Sequence, residues 1–345
     1  MTKLHSLALA AALAVSALAA HAETRWDLAS AFVPSNYHVE NLNRFAADVA
    51  QATGGQLKIT VHSSSSLFKL NEIKRAVQGG QVQAGEILMT AYENESGVLG
   101  VDGIPFLVTS YSAARKLYEA QKPVLQKYLE KQGMVLLYCV PWPASGIYSK
   151  RAIDAMTDMR GVKWRAYSPA TTRMGELMGA QPVTVSAAEL SQALATGVVD
   201  AFMTSSQTGV DSRVYEQVKY FYDMKAALPK NAVFVNAAAF NALDKNQKAA
   251  VLKAAADAEE RGWKASVEWD DKSKATLAQK GMMVMQPSGK LAGDAKQMGV
   301  VLLMDWQKKA GADAEAIIAN FQRATPLAEP KPAASSPVAS RSAKK

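Results

Sequence analysis

Apolar and polar residues follow two periods along this chain, one typical of strands and one typical of helices. Leu57–Val61 alternates apolar and polar side chains, which predicts a half-buried strand. The apolar residues before Gly54 recur with helical spacing, and the glycine marks the expected end of that helix. Strand, helix and stop recur in this order, which predicts an α/β fold with largely parallel sheets. The predicted strands are 26–32, 57–61, 84–90, 134–140 (as a central strand), 162–166, 198–203, 218–222 and 232–236.

The longest predicted element begins after Asp244, which gives a capping signal together with Gln247. The next proline is Pro287 and the expected end is Gly281, so we expect one helix of about 36 residues, or about 54 Å at 1.5 Å per residue. The alternative is a pair of helices broken near Gly262. The single helix would run along two lobes, with a cleft between them. Its expected docking residues are Val251, Leu252, Trp263, Val267 and Leu277.

Both ends of the chain differ from the middle. Residues 1–22 combine a basic start, an apolar run and a small-x-small site, which predicts a cleaved secretory signal peptide. The run is shorter than the ~20 residues of a membrane span, which argues against the alternative of an anchor. The proline-rich residues 325–345 are expected to be disordered. We therefore expect an exported, periplasmic protein. The expected lobes are 23–142 with 231–270 (lobe I) and 143–230 with 271–324 (lobe II).

The composition is that of a soluble globular protein, with 49% hydrophobic and 20% charged residues among 345. The net charge is +8, and about half of this excess lies in residues 1–22 and 325–345. There is no arginine-rich stripe with interleaved aromatic residues, so we expect no nucleic-acid partner. The mild positive charge that remains favours a small anionic ligand.

Few residues are present for redox, metal or nucleophilic chemistry. The single cysteine, Cys139, excludes an internal disulfide and a cysteine zinc site. Beyond residue 22 the histidines are His38 and His62, and no phosphate-binding or hydrolase motif occurs. We therefore expect no metal, no cofactor and no enzymatic activity. Counting residues alone leaves open an enzyme that works with two carboxylates, such as a glycosidase.

Three segments carry a family resemblance. Met159–Ala166, Ala193–Ala201 and Ile104–Phe106 resemble the periplasmic solute-binding proteins of tripartite ATP-independent periplasmic (TRAP) transporters, of the dicarboxylate-receptor type. The likeness extends over about 26–321. It implies two α/β lobes, a long helix across both, and delivery of an organic acid to sodium-coupled membrane permease subunits. We expect a monomer. The same cleft would serve a ligand sensor with a membrane signalling partner, and a secreted hydrolase is a further alternative.

The resemblance also implies a role for Arg165, because the family arginine at the end of this strand pairs with the ligand carboxylate. A guanidinium group matches a carboxylate with two parallel hydrogen bonds and stays charged on burial. The alternative is an arginine in a structural ion pair. Thr204 and Ser205 fall where the family has a second ligand contact, and Ser145 stands where some relatives have a second arginine. We therefore expect a monocarboxylate ligand with a partly apolar or aromatic body.

Further candidates follow from position alone. Loops at the carboxyl ends of strands face the cleft in open α/β sheets. Aromatic residues there are also candidates for the core, so both interpretations stay open. The candidates are Phe32, Tyr37, His38, Met89, Thr90, Tyr92, Trp142, Phe234 and Asn236.

Overall fold

The computed structural model describes residues 23–324, so the predicted signal peptide (1–22) and the predicted disordered tail (325–345) lie outside the described residues. The strands are β1 Thr24–Ala29, β2 Leu57–His62, β3 Ala84–Leu88, β4 Met134–Pro141, β5 Ser145–Ser149, β6 Lys163–Ala166, β7 Gln181–Thr184, β8 Ala201–Ser205, β9 Tyr220–Tyr222, β10 Lys230–Asn236 and β11 Met283–Met285. The α-helices are α1 Tyr37–Ala52, α2 Leu70–Gln78, α3 Tyr111–Glu130, α4 Pro169–Leu177, α5 Leu190–Ala195, α6 Ser206–Asp211, α7 Ala237–Asn241, α8 Lys245–Gln279, α9 Gly289–Ala310 and α10 Ala312–Ala324. Within 23–324, every helix is too short or too polar to cross a membrane.

The strands form two sheets, one in each lobe. The first has the order β2-β1-β3-β10-β4, and the second has the order β11-β9-β5-β8-β6-β7. β1 pairs in parallel with β2 and β3, whereas β10 runs antiparallel to both of its neighbours. The sheets are therefore mixed, which corrects the prediction of largely parallel sheets. The chain leaves the first sheet at the carboxyl end of β4 and re-enters it at the same end, between β3 and β4, so β10 runs antiparallel to both.

The strand predicted to be central, β4, lies at the edge of the first sheet. This prediction was wrong because the apolar run reflects helix packing rather than a central position. Both α3 and α8 pack against β4, and all but one of its residues are buried. An edge strand covered by helices is as apolar as a strand inside a sheet.

The long helix α8 is continuous over 35 residues, which confirms the prediction of a single helix. Asp244 and Gln247 cap it reciprocally: the backbone N–H of Gln247 donates to the Asp244 carboxylate (2.8 Å), and that of Asp244 donates to the Gln247 side chain (3.1 Å). The helix packs against α1 and β4 of the first lobe and against α6 of the second. It therefore supports both lobes, as expected.

The docking face of α8 differs in part from the prediction. Val251, Trp263 and Leu277 are buried, but Leu252 and Val267 are 49% and 45% exposed. The row of α8 that faces the lobes consists of small and polar residues at i, i+4 spacing. Because most of these side chains are short, the helix can approach both lobes closely. These residues are Ala254, Ala258, Gly262, Ser266 and Asp270.

The last two described helices connect the lobes a second time. α9 packs against α4 of the second lobe, whereas α10 packs against α3 of the first lobe. Ala314 and Ile317 are buried, and the Asn320 side chain donates to the carbonyl of Ala120 (3.1 Å). The predicted division placed 271–324 wholly in the second lobe. The packing of α10 corrects that assignment for its last helix.

Candidate functional site

A small cavity lies between the facing edges of the two sheets. About 350 Å³ of this space is not filled by protein atoms, and part of it is open to solvent. Most of its lining residues stand at strand ends or in the loops next to them. They are Phe32, Leu88, Trp142, Ser145, Arg165, Tyr167, Ala187, Thr204, Ser205, Thr208 and Pro229.

Arg165 on β6 is the charged residue of this lining, and it is only 2% exposed. Its Nε donates to the carbonyl oxygen of Val185 (2.9 Å), and its guanidinium carbon lies 4.9 Å from the ring centroid of Tyr167. Among residues 23–324, Nη1 has no hydrogen-bond partner and no carboxylate lies within 4.0 Å of the group. Burial lowers the pKa of Arg165 to about 10.

This environment argues against the alternative of a structural ion pair for Arg165. Buried charges in proteins are paired, because an unpaired ion loses its hydration without compensation. The guanidinium instead presents an unused donor to an unfilled cavity.

The neighbouring residue fixes the direction of β6. Trp164 is fully buried, and its indole N–H donates to the carbonyl oxygen of Thr171 (3.0 Å). A Cβ at Gly175 would lie 2.8 Å from the Trp164 ring, so α4 fits against this indole only with glycine there. Side chains alternate along a strand, so anchoring Trp164 in the core turns Arg165 towards the cavity.

Ser145 contributes a second unused polar group. It pairs with Ser205 across β5 and β8, and its fully buried hydroxyl makes no hydrogen bond of normal geometry among the described residues. The Tyr167 hydroxyl lies nearby: burial raises the pKa of Tyr167, and its side-chain interaction with Ser145 opposes that shift. Ser205 is different, because its hydroxyl caps α6 by accepting from the backbone N–H of Thr208 (3.1 Å). Thr204 is 6% exposed and also lines the cavity. Within residues 23–324, Nη1 of Arg165 and Oγ of Ser145 are thus the two fully buried polar atoms of this lining that lack a hydrogen bond.

Aromatic rings close the opposite side of the cavity. The ring centroids of Phe32 and Trp142 lie 5.0 Å apart. Trp142 is 5% exposed, and its indole N–H donates to the side chain of Asn231 (2.8 Å). The cavity therefore combines one cationic anchor with an apolar aromatic wall, as the sequence predicts for Phe32 and Trp142.

Three predicted residues of the first lobe do not line the cavity. β3 ends at Leu88, two residues earlier than expected, and the chain continues as a tight turn over Met89–Tyr92. Met89, Thr90 and Tyr92 are buried in the core of the first lobe, where the Tyr92 hydroxyl donates to a backbone carbonyl. Leu88 occupies the cavity wall in their place.

Tyr37 and His38 lie one layer behind the cavity. Both are 2% exposed. The His38 ring centroid is 4.4 Å from that of Trp142, and the Tyr37 hydroxyl donates to the carbonyl of Pro141. These two residues support the aromatic wall without forming its surface.

Phe234 and Asn236 lie at the end of β10 that is far from the cavity, so they do not line it. Because β10 is antiparallel to β3, Asn231 stands opposite Leu88, and Val235 stands opposite Ala84. The beginning of β10 therefore reaches the cavity, whereas Phe234 is in the core and Asn236 caps α7.

Sequence reasoning missed five lining residues. Three of them follow a parallel strand, so the strand-end rule could have found them. Pro229 precedes an antiparallel strand, and its place depends on a strand direction that the sequence did not show. The missed residues are Leu88, Tyr167, Ala187, Thr208 and Pro229. Across 23–324, no group of three or more histidine, cysteine, aspartate or glutamate residues is arranged to hold a metal ion.

Two α/β lobes with a cavity between them, lined by a buried cation that residues 23–324 leave unpaired, are typical of a solute-binding receptor. Residues 29–307 match the model of the DctP family, described as bacterial extracellular solute-binding protein, family 7, and the chain belongs to this family. It is a receptor of the TRAP type and not an enzyme, which confirms the resemblance found in the sequence.

Solved structures of similar proteins are found in bacteria and in a marine metagenome. DctP6 of Bordetella pertussis, an extracytoplasmic solute receptor binding pyroglutamic acid, is 54% identical, with 87% of this chain and 100% of that chain covered and a TM-score of 0.85. DctP7 of the same organism, also binding pyroglutamic acid, is 42% identical over 87% of this chain and 99% of that chain (TM-score 0.85). A marine metagenome TRAP protein specific for pyroglutamate is 38% identical over 88% and 99% (TM-score 0.85).

Proposed function

We propose that this protein binds a small organic monocarboxylate between its lobes, with the ligand carboxylate paired to Arg165. The observation that carries the proposal is the buried guanidinium whose Nη1 has no partner within residues 23–324. A carboxylate would accept two parallel hydrogen bonds from this group and fix the orientation of the ligand. It would also supply the negative charge that residues 23–324 do not place within 4.0 Å of Arg165.

The lining supports a single carboxylate. Arg165 is the one arginine or lysine among the lining residues. A second ligand carboxylate would lose its hydration against Phe32, Trp142 or Leu88 without gaining a cation, which costs several kcal/mol. The unused hydroxyl of Ser145 instead suits a neutral polar group, such as a carbonyl or an amide.

Pyroglutamate is the specific ligand that we propose. It carries one carboxylate and a neutral lactam on a compact five-membered ring. The carboxylate would pair with Arg165, the lactam would bond to Ser145, and the ring would lie against Phe32 and Trp142. The three similar receptors named above support this choice because each is described as binding this acid.

Calorimetric titration of the purified protein tests the proposal. The panel is L-pyroglutamate, its neutral amide, succinate and L-glutamate. We expect L-pyroglutamate to bind tightest and the amide and both dicarboxylates to bind at least about 100-fold more weakly, because each lacks a charge match in the cavity. A dicarboxylate as the tightest ligand, or an amide that binds as well as the acid, would contradict the proposal.

We further propose that the protein acts as a monomer in the periplasm after removal of residues 1–22, and delivers its ligand to TRAP membrane permease subunits. The family match supports an extracytoplasmic receptor. Proteoliposomes that contain the permease subunits and a sodium gradient test the delivery step. Uptake of labelled L-pyroglutamate should depend on the added receptor. Uptake that is equal with and without it would contradict delivery and favour the alternative of a sensor.

A further inference from the structure

Behind the aromatic wall, five buried side chains form one connected network in the first lobe. Trp142 Nε1 donates to Asn231 Oδ1 (2.8 Å), and Asn231 Nδ2 donates to Glu86 Oε1 (3.0 Å). The Ser30 hydroxyl donates to Glu86 Oε2 (2.7 Å), and His38 Nδ1 lies 3.5 Å from Oε1. Each of the five residues is at most 5% exposed.

The register of the first sheet places this network directly beside the cavity. Asn231 stands opposite Leu88 in the pairing of β10 with β3, and Leu88 is a lining residue. Glu86 lies two residues before Leu88 and therefore on the same face of β3. The chain of hydrogen bonds thus runs from the cavity wall into the first lobe.

Contacts with neighbouring rings do not by themselves fix the orientation of the Trp142 indole. Its ring contacts those of Phe32 and His38 at tilted angles of 59° and 42°, with centroid distances of 5.0 and 4.4 Å. Such contacts restrain the plane of a ring but resist rotation within that plane only weakly. The hydrogen bond from Nε1 to Asn231 supplies the missing restraint, because it is directional.

Glu86 in turn determines which way the Asn231 amide faces. The carboxylate accepts hydrogen bonds and cannot donate them, so Asn231 has to present Nδ2 to it. This leaves Oδ1 facing the indole N–H, which can only donate. The opposite amide orientation would set donor against donor at Trp142 and acceptor against acceptor at Glu86.

We propose that Asn231 is a positioning residue for ligand binding. It orients the Trp142 indole towards the cavity, and Glu86 in turn fixes the orientation of the Asn231 amide. The proposal rests on the proposed function, because it concerns the wall against which the ligand would lie. Asn231 does not itself line the cavity. Its effect on affinity therefore has to pass through Trp142.

A double-mutant cycle tests this dependence. The affinity for L-pyroglutamate is measured for Asn231→Leu, Trp142→Phe and the double variant. We expect each single change to weaken binding about tenfold, and the double variant to bind no more weakly than the worse single variant. Losses that multiply to about 100-fold, or an Asn231→Leu variant within about twofold of the unmodified protein, would overturn the proposal.

Two further variants keep the test independent of stability. Asn236→Leu is the matched control, because Asn236 lies on the same strand but bonds to the Val77 carbonyl and caps α7 away from the cavity. It should lower the melting temperature and leave affinity unchanged. If Asn231→Leu does not fold, Glu86→Met replaces it in the cycle, since methionine has a similar length but lacks the carboxylate oxygens that accept from Asn231. Its loss of affinity should vanish when Trp142 is phenylalanine, and a loss that persists would overturn the proposal.

A ligand-free measurement separates this proposal from the identity of the ligand. The Trp142 indole N–H is followed by NMR hydrogen exchange, with the Trp142→Phe variant assigning the signal. It should be protected in the unmodified protein and lose most of that protection in Asn231→Leu or Glu86→Met. If the unmodified protein does not bind L-pyroglutamate, the proposed ligand is wrong, and this exchange measurement decides the positioning proposal. Unchanged protection in both variants would overturn it.

Discussion

Asn36 of the first lobe donates a hydrogen bond of 2.6 Å to the carboxylate of Asp211 in the second lobe. A hydrogen bond within its own lobe holds each of the two side chains in place. The side-chain oxygen Oδ1 of Asn36 accepts from the backbone N–H of His38 at the start of α1, and the Asp211 carboxylate accepts from the Gln207 side chain on α6 (2.7 Å). The bond lies beside an outer hollow lined by Asp211, Phe32 and other residues of both lobes. Arg165 is only 2% exposed, so we expect a ligand to reach it when the lobes move apart and this bond breaks.

Removing this bond should accelerate ligand release. Asp211→Ala leaves Asn36 without its charged acceptor in the closed form, at a cost of about 1–2 kcal/mol. We expect the dissociation rate of L-pyroglutamate in stopped-flow measurements to rise about 5- to 30-fold, with little change in association. Glu216→Ala is the control, because Glu216 pairs with Arg213 within the second lobe. An unchanged dissociation rate in Asp211→Ala would show that the bond does not hold the lobes together.

The buried carboxyl group of Asp211 should also make the unfolding free energy depend on pH. Burial raises the pKa of its carboxyl above the ordinary value, although hydrogen bonds from Asn36 and Gln207 oppose the shift. The folded protein therefore binds this proton more readily than the unfolded chain does. The penalty for burying the charge is full at pH values above the folded-state pKa and disappears as the pH falls through it.

We therefore expect Asp211→Asn to flatten the pH dependence of the unfolding free energy. As the pH falls from neutral towards the ordinary aspartate pKa of about 3.9, the unmodified protein should gain stability relative to this variant. Urea unfolding at each pH provides the measurement. A slope in Asp211→Asn as steep as in the unmodified protein would contradict the assignment.

Alanine substitutions at two glycines, one on α8 and one on α9, should change the stability of the protein in opposite directions. A Cβ at Gly262 would lie 2.3 Å from a methyl carbon of Val140, whereas a Cβ at Gly293 on α9 meets nothing within 4 Å. Gly262→Ala should destabilise the protein by about 1–3 kcal/mol in spite of its better helix propensity. Gly293→Ala should stabilise it by about 0.5–1 kcal/mol. Urea unfolding checks both, and a Gly262→Ala variant more stable than the unmodified protein would contradict the packing described.

Much of the fold is predictable from the sequence because local signals determine it. The Asp244–Gln247 cap and the absence of proline up to Pro287 fixed the start and continuity of α8. The direction of β10 is not local information. It depends on where the chain re-enters the first sheet, and no residue within Lys230–Asn236 signals it.

In the candidate site too, local sequence determines some features, whereas others depend on distant parts of the chain. Trp164 and Arg165 alternate on β6, so the sequence correctly placed Arg165 on the face opposite the core. Tyr167 was within reach of the same strand-end rule. The network through Asn231 and Glu86 was not, because it joins residues 145 positions apart through the pairing of β3 with β10.

The unused hydroxyl of Ser145 predicts a modest contribution to affinity. Ser145→Ala should weaken L-pyroglutamate binding about fivefold, because one neutral hydrogen bond is worth about 1 kcal/mol. Ser149→Ala is the matched control on β5. Ser149 is also buried, but its hydroxyl accepts from the backbone N–H of Arg151 (3.3 Å) and does not face the cavity. Calorimetry that shows equal effects of both changes would remove Ser145 from the ligand contacts.

The pairing of Arg165 with a ligand carboxylate is the central claim, and calorimetric titration with L-pyroglutamate tests it most directly. Arg165→Ala should weaken binding by about 2–5 kcal/mol, or roughly 30- to 5,000-fold, because the carboxylate would be buried without a partner. Arg165→Lys should restore only part of this, since an ammonium group cannot form two parallel bonds. Arg173→Ala, which removes an exposed arginine paired with Asp305, should bind as the unmodified protein does. Binding by Arg165→Ala within about threefold of the unmodified protein, with circular dichroism showing both to be folded, would contradict the account.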